Sequence, residues 1–365
     1  MPTISLRLFI LLLLYHMLFT LVFHHYLMVH GGDSRAYWEF SIGNYRPASQ
    51  WMDYFEYGNF FMQWLNYFPA KQWGLPYYVG NMIYGLLAFV GFAELLRLGL
   101  AHWGWNSSSR WANGWIAALF LPGIHFWTAG VGKEAILWIG TIWVLKGLAG
   151  PFRNGYWTLL GIFLALMTRP IHGALLIGMV LFFVITDPNV RSAPYRWYLW
   201  STIGTAGIVA LLILQRQTHL PAFSLQALAD FLSSQQRFLE SFGAFSYVPM
   251  HEYTWPERLW AVLFRPLPWE AVGIWQWAAA LENSLLLLAF IAAIVRYCWY
   301  RPHLHLPRFL TMGLLLTGGM LLIYMVTLNN LGIIMRMKSI FTPFIGILCA
   351  RCIVFSKKHP TFDRI

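Results

Sequence analysis

Residues 6–38 read LRLFILLLLYHMLFTLVFHHYLMVHGGDSRAYW, and their order decides the fold. Leu6 to Val29 is an apolar run, long enough to cross about 30 Å of hydrocarbon at about 1.5 Å per helical residue. The run closes on Gly31-Gly32, and Asp33 follows at once. A glycine hinge and then an acid put a carboxylate at the membrane surface, at the exit of the first span. No small-residue cleavage site follows the run, so it reads as a retained anchor and not as a cleaved signal peptide.

Composition extends this reading to the whole chain. The protein is 58% hydrophobic and 11% charged, with a mean hydropathy of +0.54, where a soluble domain carries about 25% charge. Apolar runs recur at 6–29, 77–100, 112–127, 135–148, 156–168, 171–186, 198–214, 273–295, 309–328 and 339–355. They predict an all-α polytopic integral membrane protein with roughly ten transmembrane helices, residues 1–365 forming one integral domain. The short runs around Gly130 and Arg169 are expected to be tilted, broken or re-entrant, because irregular backbone at depth needs protein or a wet cavity around it. No internal repeat or low-complexity linker divides the chain.

Charge sets the orientation. With the N-terminus inside, the inner segments collect fourteen of the 25 Lys and Arg residues and three of the 14 acids, so the whole net charge of +11 falls on one face. This is the positive-inside pattern, with both termini cytoplasmic. The basic balance therefore reflects topology and contact with anionic lipid, and nucleic acid is not an expected partner. Cys298, Cys349 and Cys352 all fall near the cytoplasmic side, where an odd number of thiols in a reducing compartment predicts no disulfide framework. Neither Cys349 and Cys352 nor the cluster His24, His25 and His30 has a metal-site spacing.

Two external loops are long, 30–76 and 215–272. Nine of the eighteen residues from Trp51 to Phe68 are aromatic, which predicts an interfacial helix in the headgroup layer. In the second loop Ser224 is placed to cap a helix carrying Leu225, Leu228, Phe231 and Leu232. Pro249, Pro256, Pro266 and Pro268 then divide the remainder. The inner loops are short and basic, so function is expected on the outside.

Five groups carry charge where charge is expensive. Asp33 and Ser34, with Tyr37 behind them, either cap a short helix or meet a substrate, and one residue can do both. Pro122 to Glu134 breaks a helix with one proline and three glycines, then opens the next on Lys133 and Glu134. A fresh helix N-terminus with a lysine suits an anion such as phosphate, although the spacing is not that of a Walker loop; an ordinary interfacial charge pair is the alternative. Arg169-Pro170 aims a guanidinium into a cavity or lets it snorkel. Arg265 and Glu270, among fixed prolines, lead to Glu282-Asn283 about three turns deeper, and Glu282 needs a partner, with Arg169 and Arg336 available. Asn329 to Lys338 brings Arg336 and Lys338 to the last span from outside, as phosphate ligands or as headgroup anchors.

Taken in order, these segments are Gly-Asp-Ser-x-x-Tyr, Pro-x-x-x-Phe-Trp-x-x-Gly-x-x-Lys-Glu, Arg-Pro, Phe-Arg-Pro-x-Pro-Trp-Glu before Leu-Glu-Asn, and Asn-x-Gly-x-x-x-Arg-x-Lys. The chain resembles bacterial polysaccharide polymerases of the Wzy and EpsG type and, more loosely, GT-C glycosyltransferases. The resemblance covers residues 31 to 338. It implies sugar transfer from an isoprenoid-linked donor on the external face of the bacterial cytoplasmic membrane, possible companions being other envelope polysaccharide-assembly proteins. It makes Asp33 the match for the acidic residue of the first external loop, with Glu282 and Glu270 as further acid candidates. It makes Ser34, Tyr37, Trp127, Lys133, Glu134, Arg169, Arg265, Asn329, Arg336 and Lys338 substrate-binding candidates. The chain departs from many GT-C enzymes in lacking Asp-x-Asp and a soluble external domain. The cofactor stays open: a divalent metal accompanies some relatives, and no motif seen in this chain requires one. Two rival readings remain: a flippase or transporter of lipid-linked oligosaccharide, and a noncatalytic scaffold of an envelope complex.

Overall fold

Helix is the one structure that lets a single apolar run pair its own backbone groups in hydrocarbon, and the chain follows it. A computed structural model describes residues 5–41, 48–104, 111–149, 155–186, 246–301 and 304–354, with scattered positions between 187 and 245. The helices are α1 (Leu6–His30), α2 (Asp33–Trp38), α3 (Asn59–Asn66), α4 (Tyr77–Trp103), α5 (Pro122–Thr128), α6 (Lys133–Ala149), α7 (Gly155–Thr168) and α8 (Pro170–Thr186). After the scattered stretch come α9 (Trp255–Phe264), α10 (Ile274–Tyr300), α11 (Arg308–Thr327), α12 (Leu331–Lys338) and α13 (Thr342–Val354). Among the described residues the one β pairing is an isolated bridge between Tyr247 and Asn330.

Four described helices, α1, α4, α10 and α11, are long and apolar enough to cross a membrane, and α12 with α13 forms a fifth such segment bent by 65°. The remaining apolar runs take shorter forms. Those at 156–168 and 171–186 become α7 and α8, joined through Arg169. The run at 112–127 divides into a 3₁₀ segment, Trp111–Phe120, and α5. Pro122 stands in the first turn of α5, where its missing N–H costs nothing, and it cannot extend the ladder before it. The run at 198–214 and the expected helix at Ser224 lie, apart from isolated positions, outside the described residues.

α6 is the hub. From Glu134 to Leu148 it is buried almost all round, as an apolar helix inside a bundle should be. Small residues let its neighbours come close. A Cβ on Gly161 of α7 would fall 2.8 Å from Val144 Cγ2, and one on Gly140 would fall 3.0 Å from the Gly161 carbonyl oxygen. Glycine at both positions brings the two backbones together, the packing mode that serves where lipid supplies no hydrophobic drive. On α4, Gly91 receives the Trp138 ring of α6, which would stand 2.7 Å from a Cβ there.

The aromatic stretch of the first loop becomes a 3₁₀ turn, Trp51–Tyr54, then α3, then a π segment, Tyr67–Gln72. Trp51 stacks on Trp64 at 4.9 Å. α3 buries Phe60, Phe61, Met62, Gln63 and Asn66, and Asn66 accepts from Tyr84 Oη at 2.8 Å. Gly58 N donates to Met167 O at 2.7 Å, which ties this loop to the end of α7. In the second loop Pro256 starts a helix: Thr254 and Glu257 form a capping box ahead of α9.

The orientation is open to thiol labelling. Ser49→Cys and Glu252→Cys, both exposed, should react in intact cells with a membrane-impermeant maleimide. The native Cys298, exposed near the far end of α10, should react only after lysis. The reverse pattern would invert the topology and move the candidate site described next to the inside.

Candidate functional site: a bridged arginine pair beneath Asp33

The hinge after α1 sets the first group. Gly31 closes α1 with its N–H on Leu27 O at 2.9 Å. Gly32 has φ 140°, a left-handed conformation that L side chains rarely adopt, and a Cβ there would stand 3.1 Å from Leu27 Cδ2. Asp33 therefore opens α2 with its side chain 52% exposed, while the residue at the cap position is Gly32, which has no side chain to cap with. Its partner is distant in sequence: Arg336 Nη1 donates to Asp33 Oδ2 at 3.3 Å. Next to it, Ser34 Oγ and Tyr77 Oη share a hydrogen bond of 2.7 Å. One turn on, Tyr37 is buried and donates to Asn59 Oδ1 at 3.2 Å. Burial pushes the Tyr37 phenol well above its usual range, with Arg336 pulling the other way, so it stays a neutral donor.

Beneath Asp33 lies a buried carboxylate. Glu134, 3% exposed, takes Arg169 Nη2 at 2.5 Å and Arg336 Nε at 2.8 Å on the same oxygen, Oε1. The Arg336 contact has ion-pair distance, but its N–H is not aimed along it, and Nε finds no hydrogen-bond acceptor. The fold brings these groups from three places. Glu134 occupies the first turn of α6, where the helix dipole favours an acid. Arg169 sits at the α7–α8 elbow, its N–H on Ala165 O at 2.8 Å, with Pro170 starting α8. Arg336 lies in the last turn of α12, where the dipole favours a cation. Asn330 caps that helix through the N–H groups of Gly332 and Ile333. Val248 N on Asn329 O at 2.8 Å and Leu331 N on Ser246 O at 2.9 Å pin its start.

Lys133 completes the cluster. Its ammonium lies 5.8 Å from the centre of the Tyr37 ring and 3.9 Å from where a Cβ on Gly58 would stand. Among the described residues it has no hydrogen bond and no ion pair. Arg169 Nε, buried, also lacks an acceptor among them. Three cations, Lys133, Arg169 and Arg336, face two carboxylates, Asp33 and Glu134. Burial, with Arg169 and Arg336 nearby, lowers the Lys133 pKa to about 7. With Lys133 protonated the site holds a formal excess of one positive charge and donors still to be satisfied, which is the electrostatic form of an anion site.

The other candidates are committed elsewhere. Arg265 Nε pairs with Glu270 Oε1 at 2.5 Å, and Nη1 donates to Tyr253 Oη at 2.9 Å. Glu270 Oε2 accepts from Leu267 N at 2.8 Å. These two staple the turn between α9 and α10. Lys338 donates to Leu263 O at 2.9 Å and to Arg265 O at 3.1 Å, so it closes the C-terminus of α9, where orphan carbonyls want a cation. Glu282 accepts from the N–H of Gly123 and pairs with neither Arg169 nor Arg336. It answers the start of α5, while Asn283 Nδ2 holds Pro266 O at 2.9 Å. Trp127 packs edge-on against Phe126 at 5.1 Å. Asn329 serves the α12 start through its carbonyl. Asn59 and Tyr77 join the site without a sequence signal, since their contacts to Tyr37 and Ser34 cross 22 and 43 residues.

Among the described residues no three His, Cys, Asp or Glu side chains converge as a metal site. Compared with known proteins, the chain matches no family model, no curated sequence and no solved structure.

If Glu134 holds the two arginines, Glu134→Gln should destabilise the protein by about 3–5 kcal/mol, the cost of leaving buried charge uncompensated. Asp33→Asn breaks a half-exposed pair and should cost about 1 kcal/mol or less. Unfolding in one detergent, followed by loss of helicity, checks both. Equal stability of the two variants would contradict the bridged pair.

Proposed function

We propose that this chain is a membrane glycosyltransferase, of the repeat-unit polymerase kind, using an isoprenoid phosphate- or diphosphate-linked sugar donor at the external face of the bacterial cytoplasmic membrane. The observation that carries the reading is the Lys133 ammonium, without a hydrogen bond or ion pair among the described residues, beside two arginines that share one carboxylate. Such a cluster, at the mouth of an apolar helix bundle, suits a diphosphate whose lipid tail stays in the membrane.

The chemistry follows from the groups present. Lys133, Arg169 and Arg336 take the donor diphosphate. Arg336 also holds Asp33 at rest, so an incoming diphosphate competes for that guanidinium and frees the carboxylate. Asp33 then accepts the proton of an acceptor hydroxyl. The acceptor oxygen bonds to the anomeric carbon as the bond from that carbon to the phosphate oxygen breaks. The electron pair leaves on the diphosphate, where fixed cations stabilise it better than mobile water would. Glu134 keeps the two arginines from repelling each other when the site is empty. Tyr37, neutral and hydrogen-bonded, lines the cluster.

Transport of a lipid-linked oligosaccharide is the rival reading, and it requires a polar route across the membrane. On α6 the residues from Ala135 to Leu145 carry no charge, and the next charged group, Lys146, is paired with Glu94 at 3.1 Å. That break in charge along the central helix favours chemistry at one face.

Extension of a lipid-linked oligosaccharide in reconstituted membranes tests the reading. Asp33→Asn should fold, bind donor and lose about 100- to 10,000-fold in turnover, the usual contribution of a general base. Arg336→Ala should weaken donor binding and turnover together, because a cation on a diphosphate acts in ground and transition states alike. Turnover by Asp33→Asn near the wild-type rate would remove Asp33 as the base.

A further inference from the structure

An open cavity of about 410 Å³ lies between the exit of α2 and the segment leading into α4, and this volume falls in the range of about 300–1,000 Å³ usual for small-ligand sites. Its lining includes the aromatic residues Trp38, Phe40 and Tyr77 together with Glu39 and Lys71. Its lining includes none of Asp33, Lys133, Glu134, Arg169 and Arg336.

Three features mark it as more than a surface dent. Phe40 is held at φ 56°, a conformation costly for a bulky L residue and one that tends to cluster at ligand sites. Lys71 is fixed over the rings of Phe40, Tyr54 and Tyr67 at 5.4, 5.2 and 5.3 Å. It donates to Tyr54 Oη at 3.2 Å and to Ser49 O at 3.4 Å. An ammonium has three N–H donors, so one remains unspent among the described residues. Glu39 is half-exposed, and Arg35 Nε holds only its Oε1, at 2.5 Å, which leaves Oε2 as an acceptor.

Aromatic rings beside an acceptor and a donor match the two sides of a pyranose. The apolar C–H face of the sugar stacks on a ring, and its hydroxyl edge needs both kinds of hydrogen-bonding partner. A free anion would meet the Glu39 carboxylate, and an acyl chain would strand both charges. The position also fits. Tyr77, in the cavity wall, is hydrogen-bonded to Ser34, the neighbour of Asp33. Trp38 closes the same helix that Asp33 opens, about 8 Å along its axis at about 1.5 Å per residue.

We infer that this cavity binds a saccharide, the acceptor glycan, and presents its hydroxyl towards Asp33. The acceptor role rests on the transferase reading; binding of a sugar does not.

The test reads occupancy without turnover. In a Cys298→Ser background, Ala70→Cys puts a thiol in the cavity wall, and Glu252→Cys puts one on the other external segment as a control. Maleimide labelling of reconstituted protein is timed with maltose, lactose or chitobiose as probes, with sodium pyrophosphate, and with phosphatidylglycerol vesicles. At least one disaccharide should slow labelling of Ala70→Cys several-fold and leave Glu252→Cys unchanged, and adding Glu39→Gln should relieve that protection. The inference is overturned if no disaccharide protects, if both thiols are protected equally, or if only pyrophosphate or the vesicles protect. Failure here beside Asp33-dependent transfer removes the saccharide site and keeps the enzyme. Protection here without transfer keeps a glycan-binding site and removes the enzyme.

Discussion

The site depends on one buried carboxylate. Glu134 stands at the start of a helix surrounded by apolar packing, and its Oε1 receives Arg169 and Arg336 from two elements far apart in sequence. Without it, two guanidiniums would face each other in a medium that stabilises neither. With it, the elbow between α7 and α8 and the short helix α12 share one electrostatic anchor. Asp33 hangs on the outer side of the same cluster through Arg336. The dependence therefore runs from the α6 packing to Glu134, from Glu134 to the arginines, and from the arginines to the exposed acid.

That hierarchy separates rigid from responsive groups. Glu134 is buried, Arg169 and Arg336 are partly exposed to the same degree, and Asp33 is half-exposed and held by a single longer contact. In the proposed reaction a polyanion that takes up Arg336 loosens Asp33, held only by that arginine at 3.3 Å, before it disturbs the buried Glu134. The saccharide cavity shares α2 with Asp33, so one short helix joins the proposed donor and acceptor sides.

Much of this was legible in the chain. The run ending in Gly31-Gly32 marks Asp33, the proline and glycines before Lys133 mark a helix start, and Pro170 marks the Arg169 elbow. Each is a local signal, carried by backbone chemistry. The pairing was not legible, because Asp33 and Arg336 meet across 303 residues, and no periodicity encodes that contact. Direction was hidden too. Arg336 and Lys338 are neighbours in sequence, but residues two apart on a helix do not share a face. One turns to Glu134 and the other to the carbonyls ending α9. Glu282 shows the same limit: its depth calls for a partner, and only the fold reveals that the partner is a backbone N–H at the start of α5. About ten apolar runs could be read from composition, but among the described residues length distinguishes four long helices and the bent pair from the shorter pieces around α6.

The central claim is that the cluster under Asp33 is an anion site for an isoprenyl diphosphate. Equilibrium binding of farnesyl diphosphate to the reconstituted protein tests it most directly, with Lys133→Met as the comparison, a change that keeps side-chain length and removes the cluster's cation that has no hydrogen bond or ion pair among the described residues. The account predicts saturable binding to the wild type and an affinity lower by about tenfold or more in the variant, which is about 1.4 kcal/mol or more. Binding of equal strength in both proteins, or no saturable binding to the wild type, would contradict it.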